Sequence, residues 1–276
     1  MKKLFLALCM FSAATVTTAQ VKMPAPSPGQ TIKQEFGLGS VEVMYSRPSI
    51  KGRKIFGDLV PYNKLWRTGA NSSSHIKFTD AVEMGGKRID TGTYALYTIP
   101  GEDMWEIIIN KGTDNWGIDG YKESEDVVRF KVPSKKIKPA LESFTMQFAN
   151  ITPENCELHI MWDKTAVAVP IKSVIKDRIR ADIEKAMLGE KKPYWNAAQF
   201  YFEYDKNNAK ALENVTAATA AQPKAFWMWL YKAKIEKEMG NKEAAMASSK
   251  TSIELARAAK NDDYVKMNED LQKKLK

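Results

Sequence analysis

Cysteine and histidine are nearly absent from this chain. It has two of each in 276 residues. Cys9 falls in the apolar start, so only Cys156 is left to the body of the chain. One thiol cannot close an intrachain disulfide, and a disulfide-stapled scaffold is excluded. Cys156 opens an apolar alternation and reads as a small buried side chain. His75 and His159 are too few and too far apart for the usual metal-ligand spacings, and no HExxH occurs. No GxSxG elbow precedes a helix, so Ser72, Ser73 and Ser74 read as a turn before a strand. No cofactor is expected. Long hydrophobic runs are missing too. The apolar stretch Leu4–Phe11 is far short of the ~20 residues a membrane-spanning helix needs.

That short stretch has another meaning. Lys2 and Lys3 precede it, and Thr17 and Ala19 sit at −3 and −1 of a cut before Gln20. Residues 1–19 therefore read as a cleaved secretion signal, which places the protein in the periplasm or outside the cell. The formal charge is +9. Export argues against nucleic acid as the partner. The lysines are also interspersed with acids, as on a solvated surface.

The remainder changes rhythm once. Residues 20–30 hold three prolines and form an extended lead-in. From 31 to 171 apolar residues recur at every second position. Val41, Val43 and Tyr45 share one face, as do Ile76 and Phe78, then Phe144, Met146 and Phe148, then Leu158, Ile160 and Trp162. Further strands are expected near 92–99, 104–110, 126–132 and 166–171. Gly85-Gly86 and residues 100–103 supply tight turns. About nine mostly antiparallel strands predict an all-β domain, either a β-sandwich or a partly closed barrel.

After 171 glycine thins out, alanine rises and the spacing becomes helical. A 34-residue offset relates Trp195 to Trp229 and Ala211 to Ala245. With Pro223, Ala233 and Gly240 this resembles the tetratricopeptide pattern, in which small residues let helices approach and Trp fills between them. Lys206 replaces the expected turn glycine in the first unit. Residues 172–276 are predicted to be an all-α, tetratricopeptide-like domain. In the run Phe226-Trp227-Met228-Trp229 the helical period buries Phe226, Trp229, Leu230 and Ala233. Trp227 and Tyr231 then fall on an adjacent face, where they pack on a neighbouring helix or dock a protein partner.

Between the first strands lies a long aperiodic segment, SRPSIKGRKIFGDLVPYNKLWRTGAN, residues 46–71. Arg47, Lys51, Arg53, Lys54, Lys64 and Arg67 stand in it with Asp58 as the one acid, and Phe56, Tyr62 and Trp66 interleave. Arginine forks suit carboxylate or phosphate, and an aromatic face beside them can stack a ring. Arg47, Lys51, Arg53, Trp66, Arg67 and Asn71 are the candidate contacts for an anionic or carbohydrate-like ligand. The alternative is that these arginines hold the loop by binding backbone carbonyls around a small aromatic core. Five acids in 114–126 suggest calcium. Counted from Asp114, however, Trp116 and Ile118 occupy the positions where an EF-hand needs oxygen.

Together with TGTYALYTIPGEDMWEIIINK (91–111) and NWG (115–117), this loop is similar to the bacterial domain-of-unknown-function family 2911 over about residues 24–171. The resemblance implies an exported protein of a kind common in Bacteroidetes-type bacteria. It implies no reaction and supplies no catalytic residues. The expected function is binding: an envelope ligand at the loop and a protein partner at the helices. A hydrolase acting on envelope glycans or their substituents, and a structural assembly component, are the alternatives.

Overall fold

A computed structural model describes residues 23–275. The expected signal, residues 1–19, lies outside the described residues. Strand β1 (Gly29–Phe36) pairs antiparallel with β2 (Gly39–Ser46), and β2 with β3 (Ser74–Phe78). The hairpin β4 (Val82–Met84) and β5 (Lys87–Ile89) turns through Gly85-Gly86, as the glycine pair predicts. β6 (Gly92–Ile99) and β7 (Met104–Asn110) follow. Two long strands complete the set, β8 (Asp126–Ala149) and β9 (Asn155–Ser173). Together they make one nine-stranded antiparallel sheet in the order β1-β2-β3-β6-β7-β8-β9-β4-β5.

The alternation at 126–132 and at 144–148 belongs to one strand, not two. β8 pairs with β7 through its first third, to Pro133, and with β9 along most of its remaining length. Its register slips twice, around Leu141. Opposite it, Asp163 takes a left-handed φ of 51°. Such irregularities bend a strand. Here they fold the sheet so that both halves bury their apolar faces in one core. Val43, Ile76, Leu96 and Ile107 from one half meet Phe144, Leu158, Ile160 and Val169 from the other. Beyond β2 the chain closes part of the gap. Ile50 N–H donates to the Glu142 carbonyl, Phe144 N–H donates to that of Pro48, and Ser49 bridges Ser143.

Cys156 is 1 % exposed at the start of β9. Burial, with the Glu157 charge beside it, pushes its thiol up to about 11. In the chain without residues 1–19, Ellman's reagent at pH 8 is expected to leave the folded protein unlabelled. One equivalent should react once urea unfolds it. Rapid labelling of native protein would refute the burial.

β9 runs to Ser173, two residues beyond the expected boundary. Six helices follow: α1 (Lys176–Ala186), α2 (Tyr194–Gln199), α3 (Asn208–Ala221), α4 (Phe226–Glu238), α5 (Lys242–Ala258) and α6 (Asp262–Lys273). A π-helical turn, Phe200–Tyr204, extends α2. Ala211, Ala233 and Ala245 are fully buried, as their small size between packed helices requires. Lys206 and Gly240 both take left-handed φ, 57° and 81°, the first after the extension of α2 and the second after α4. Only the glycine does so without steric cost. Two ion pairs tie α1 to the sheet: Arg178 to Asp80 at 3.0 Å and Lys176 to Glu154 at 3.1 Å. No helix among the described residues is long and apolar enough to cross a membrane.

Candidate functional site

The loop after β2 first goes inward. Ile55, Phe56, Val60 and Trp66 are buried in the sheet core. Trp66 stacks on Trp162 with ring centroids 6.1 Å apart and also packs edge-on against Phe56, Trp105 and Phe144. Its indole N–H donates to the Gly69 carbonyl at 3.2 Å. Trp66 is therefore the loop's anchor, and its ring faces are occupied by protein.

Most of the arginines are also engaged. Arg47 donates through Nε to the Phe144 carbonyl and through Nη2 to Thr145 Oγ1. Arg53 donates to the carbonyls of Ile50 and Ser49, closing its own turn. Lys51, at a left-handed φ of 48°, donates its backbone N–H to Glu142 Oε1. Asn71, also left-handed, donates its carboxamide to the Ser27 carbonyl and Ser46 Oγ. Arg47, the Lys51 backbone and Asn71 hold the loop to the strands and the lead-in, and Arg53 braces the loop itself.

Arg67 differs. Its Nη1 donates to the Asn71 carbonyl at 2.9 Å, while no hydrogen bond to a described residue uses Nε or Nη2, and no ion pair among the described residues includes it. Its guanidinium lies over a second turn that the loop alone does not reveal. A Cβ added to buried Gly117 would come within 2.8 Å of Arg67 Nη1. At φ +69° a glycine is favoured there, and the arginine uses the space its missing side chain leaves.

That second turn, between β7 and β8, is built around two side chains. Asn115 donates to the Tyr97 hydroxyl and the Gly112 carbonyl. Asp126 accepts from Asn110 at 2.8 Å, from the Tyr121 hydroxyl at 2.9 Å and from Arg129 Nη2 at 2.8 Å. Arg129 also reaches Glu106 at 3.3 Å. Burial, then the hydrogen bond to the Asp126 carboxylate, raises the Tyr121 hydroxyl well above its ordinary range. The acids that suggested calcium are thus partly spent on these contacts, and no group of metal-ligating side chains occurs among the described residues. What the turn presents is Trp116, 66 % exposed.

Between the two turns lies a groove of about 330 Å3. Leu59, Pro61, Trp116 and Ile118 form its apolar surface, and Lys64, Arg67 and Asp119 its charges. Of the six candidate contacts, the structure brings Arg67 and the edge of Trp66 to this groove. Arg47, Lys51, Arg53 and Asn71 are not among its lining residues. Trp116, Lys64 and Asp119 were missed as contacts. The NWG tripeptide, one aromatic beside a turn glycine, was the available signal.

The histidines are engaged elsewhere. His75 Nε2 lies 2.8 Å from the Thr113 carbonyl and 3.5 Å from Ser73 Oγ. A carbonyl can only accept, so Nε2 carries the proton and cannot take one from Ser73. His159 Nε2 meets Glu157 Oε2 at 2.7 Å, and the contact holds the Glu157 carboxyl below its usual range.

On α4 the expected pattern needs correction. Met228 is buried, whereas Phe226 and Trp229 are half-buried. Tyr231 is not a free docking residue. It packs edge-on against Trp195 and Phe202, and its hydroxyl donates to Glu203 at 2.7 Å. Burial, that bond and the Glu203 charge raise the hydroxyl's pKa. Trp227 remains 38 % exposed.

Comparison with curated proteins and with solved structures gives no match. One family model, described as protein of unknown function (DUF2911), matches residues 27–171. The match spans the sheet, the anchored loop and the turn that carries Trp116, and it covers more than half of the chain. The chain belongs to that family.

Proposed function

We propose that this chain is an exported binding protein of the cell envelope. Its β domain takes an anionic or carbohydrate-like ligand, and its helical domain docks a protein partner. The observation that carries the reading is Trp116. A tryptophan 66 % exposed beside a partly buried arginine, on a turn locked by Asn115 and Asp126, contributes little to folding. A rigid aromatic platform next to a cation is what a ring-bearing anion needs. The leader-like residues 1–19 support export. The 34-residue offset, with left-handed turns at Lys206 and Gly240, supports a tetratricopeptide-like pair of units, for which partner docking is the usual use. Exposed Trp227 is the centre of that docking face.

The hydrolase alternative draws no support from Ser73 and His75, because the Nε2 proton is already given to Thr113.

A thermal-shift screen against envelope sugars and sugar acids tests the reading. A ligand that binds only the native state must raise the melting temperature. We expect such a rise in the parent chain and none in Trp116→Ala. A crosslinker placed at residue 227 should capture a defined envelope protein in competition with the free helical domain. No shift with any envelope sugar, and no specific crosslink, would remove both halves of the proposal.

A further inference from the structure

The groove's own charges narrow the ligand further, resting on the binding reading above. Lys64 and Arg67 stand against Asp119, which leaves one net positive charge on the lining. No ion pair among the described residues uses Lys64 or Arg67. Their charge is therefore free for a ligand.

The geometry of Arg67 says what kind of anion. One guanidinium nitrogen, Nη1, is held by the Asn71 carbonyl. That bond fixes the plane of the fork. The other edge, Nε and Nη2, makes no hydrogen bond to a described residue. Two parallel N–H groups on one edge match the two oxygens of a carboxylate. Gly117 lets the guanidinium lie close over the turn, and Trp116 immediately precedes that glycine in the same turn. An acid group bound to Arg67 thus has a large apolar ring face beside it. Asp119 supplies an acceptor for hydroxyl groups on the same ring. A lone carboxylate is satisfied by the single net charge, whereas a phosphate monoester with nearly two negative charges is not. A cleft of about 330 Å3 is at the small end of ligand sites, enough for one or two sugar rings.

We propose that the groove between residues 59–67 and 116–119 binds a carboxylated sugar, of the uronic-acid class, with Arg67 gripping the carboxylate and Trp116 stacking on the ring. The protein is a receptor for that acid group. Neutral sugars and sugar phosphates are discriminated against.

The test is calorimetric titration of the whole chain, leader removed, with methyl glucuronide, with methyl glucoside and with glucose 6-phosphate. Galacturonate oligomers of two and three units extend the series. The uronate is expected to bind at least tenfold more tightly than either comparison ligand. Arg67→Ala should weaken it about 10- to 100-fold, the loss expected for a charge-assisted pair. Arg67→Lys keeps the charge and loses the fork, so it should recover only part of that affinity. Because Arg67→Ala also frees the Asn71 carbonyl, Trp116→Ala serves as the second variant. It should lose uronate binding with an unchanged melting temperature.

Equal binding of glucoside and glucuronide would overturn the carboxylate assignment while leaving a sugar-binding groove. Preference for glucose 6-phosphate would overturn the single-charge argument. Full rescue by Arg67→Lys would overturn the fork. Failure of every sugar and sugar acid to bind the parent protein would take down this inference and the reading beneath it together.

Discussion

Replacing Trp162 by alanine is expected to cost about 3–5 kcal/mol of stability. Trp162 is 1 % exposed and stands at the meeting point of five rings. It stacks on Trp66, meets Phe144 edge-on at 5.7 Å and Phe56 at 6.4 Å. Trp105 completes the group through Phe56, at 5.1 Å. Those rings come from four places: the loop, β7, β8 and β9. Removing the central indole opens a cavity that none of them can fill without leaving its own strand. It also takes away the hydrogen bond that Trp162 Nε1 donates to the Glu142 carbonyl. The check is urea unfolding followed by tryptophan fluorescence, with the slope compared to the parent. The midpoint should fall steeply with little change in slope. A loss below about 1 kcal/mol would mean that the five-ring cluster does not hold the loop. The mutation should also weaken ligand binding, since Trp66 is what fixes Arg67 one residue later.

Asp126→Ala is expected to cost about 3 kcal/mol, for a different reason. Asp126 is 10 % exposed at the side chain and accepts from Asn110, Tyr121 and Arg129 at once. Without it a guanidinium only 26 % exposed keeps Glu106 at 3.3 Å and distant Glu123 at 3.7 Å. Breaking one partner of a buried charge pair leaves the other uncompensated, and most of the loss arises there. Removing Arg129 as well, as Arg129→Met in the same chain, should therefore return part of the stability. If the double variant is no better than the single one, the charge argument fails and the loss is packing alone. Either way the turn that presents Trp116 is loosened. Sugar-acid affinity should drop although no groove residue has changed.

These two sites also mark how far the amino-acid pattern reaches. The alternation of Val41, Val43 and Tyr45, or of Leu158, Ile160 and Trp162, is a direct record of one buried and one exposed face, so the strands could be read from it. β1 was not legible. Its inward positions carry Ile32 and Phe36 but also Gln30 and Gln34, because an edge strand has little to bury. The long strands were read as pairs of shorter ones, since the register slips at Leu141 look like turns when only the local pattern is seen. On α4 a plain helical period buries Phe226 and Trp229 and gives Met228 no place in the core. The packing leaves both rings half-buried and buries Met228, because large flat rings can lie along a surface while a flexible thioether fills a gap inside.

The loop shows the same division in its chemistry. Its composition fits a ligand site and a scaffold alike, and in the structure most of its arginines are scaffold. Arg47 and Arg53 bind carbonyls, Trp66 is core, and Arg67 keeps one edge free. Trp116 was visible in the sequence as part of NWG, yet nothing local marked it as Arg67's neighbour.

The chain's amino-acid pattern by itself determined a β part, a helical part and the position of the change between them. It also determined the cation-rich loop, because burial periodicity and composition are properties of neighbouring residues. Only the tertiary structure decided which of the loop's arginines keeps an edge free. An arginine's charge is neutralised or left available by carbonyls and carboxylates that approach from elsewhere in the chain. Arg47 finds its carbonyl 97 residues away, at Phe144, across the folded sheet.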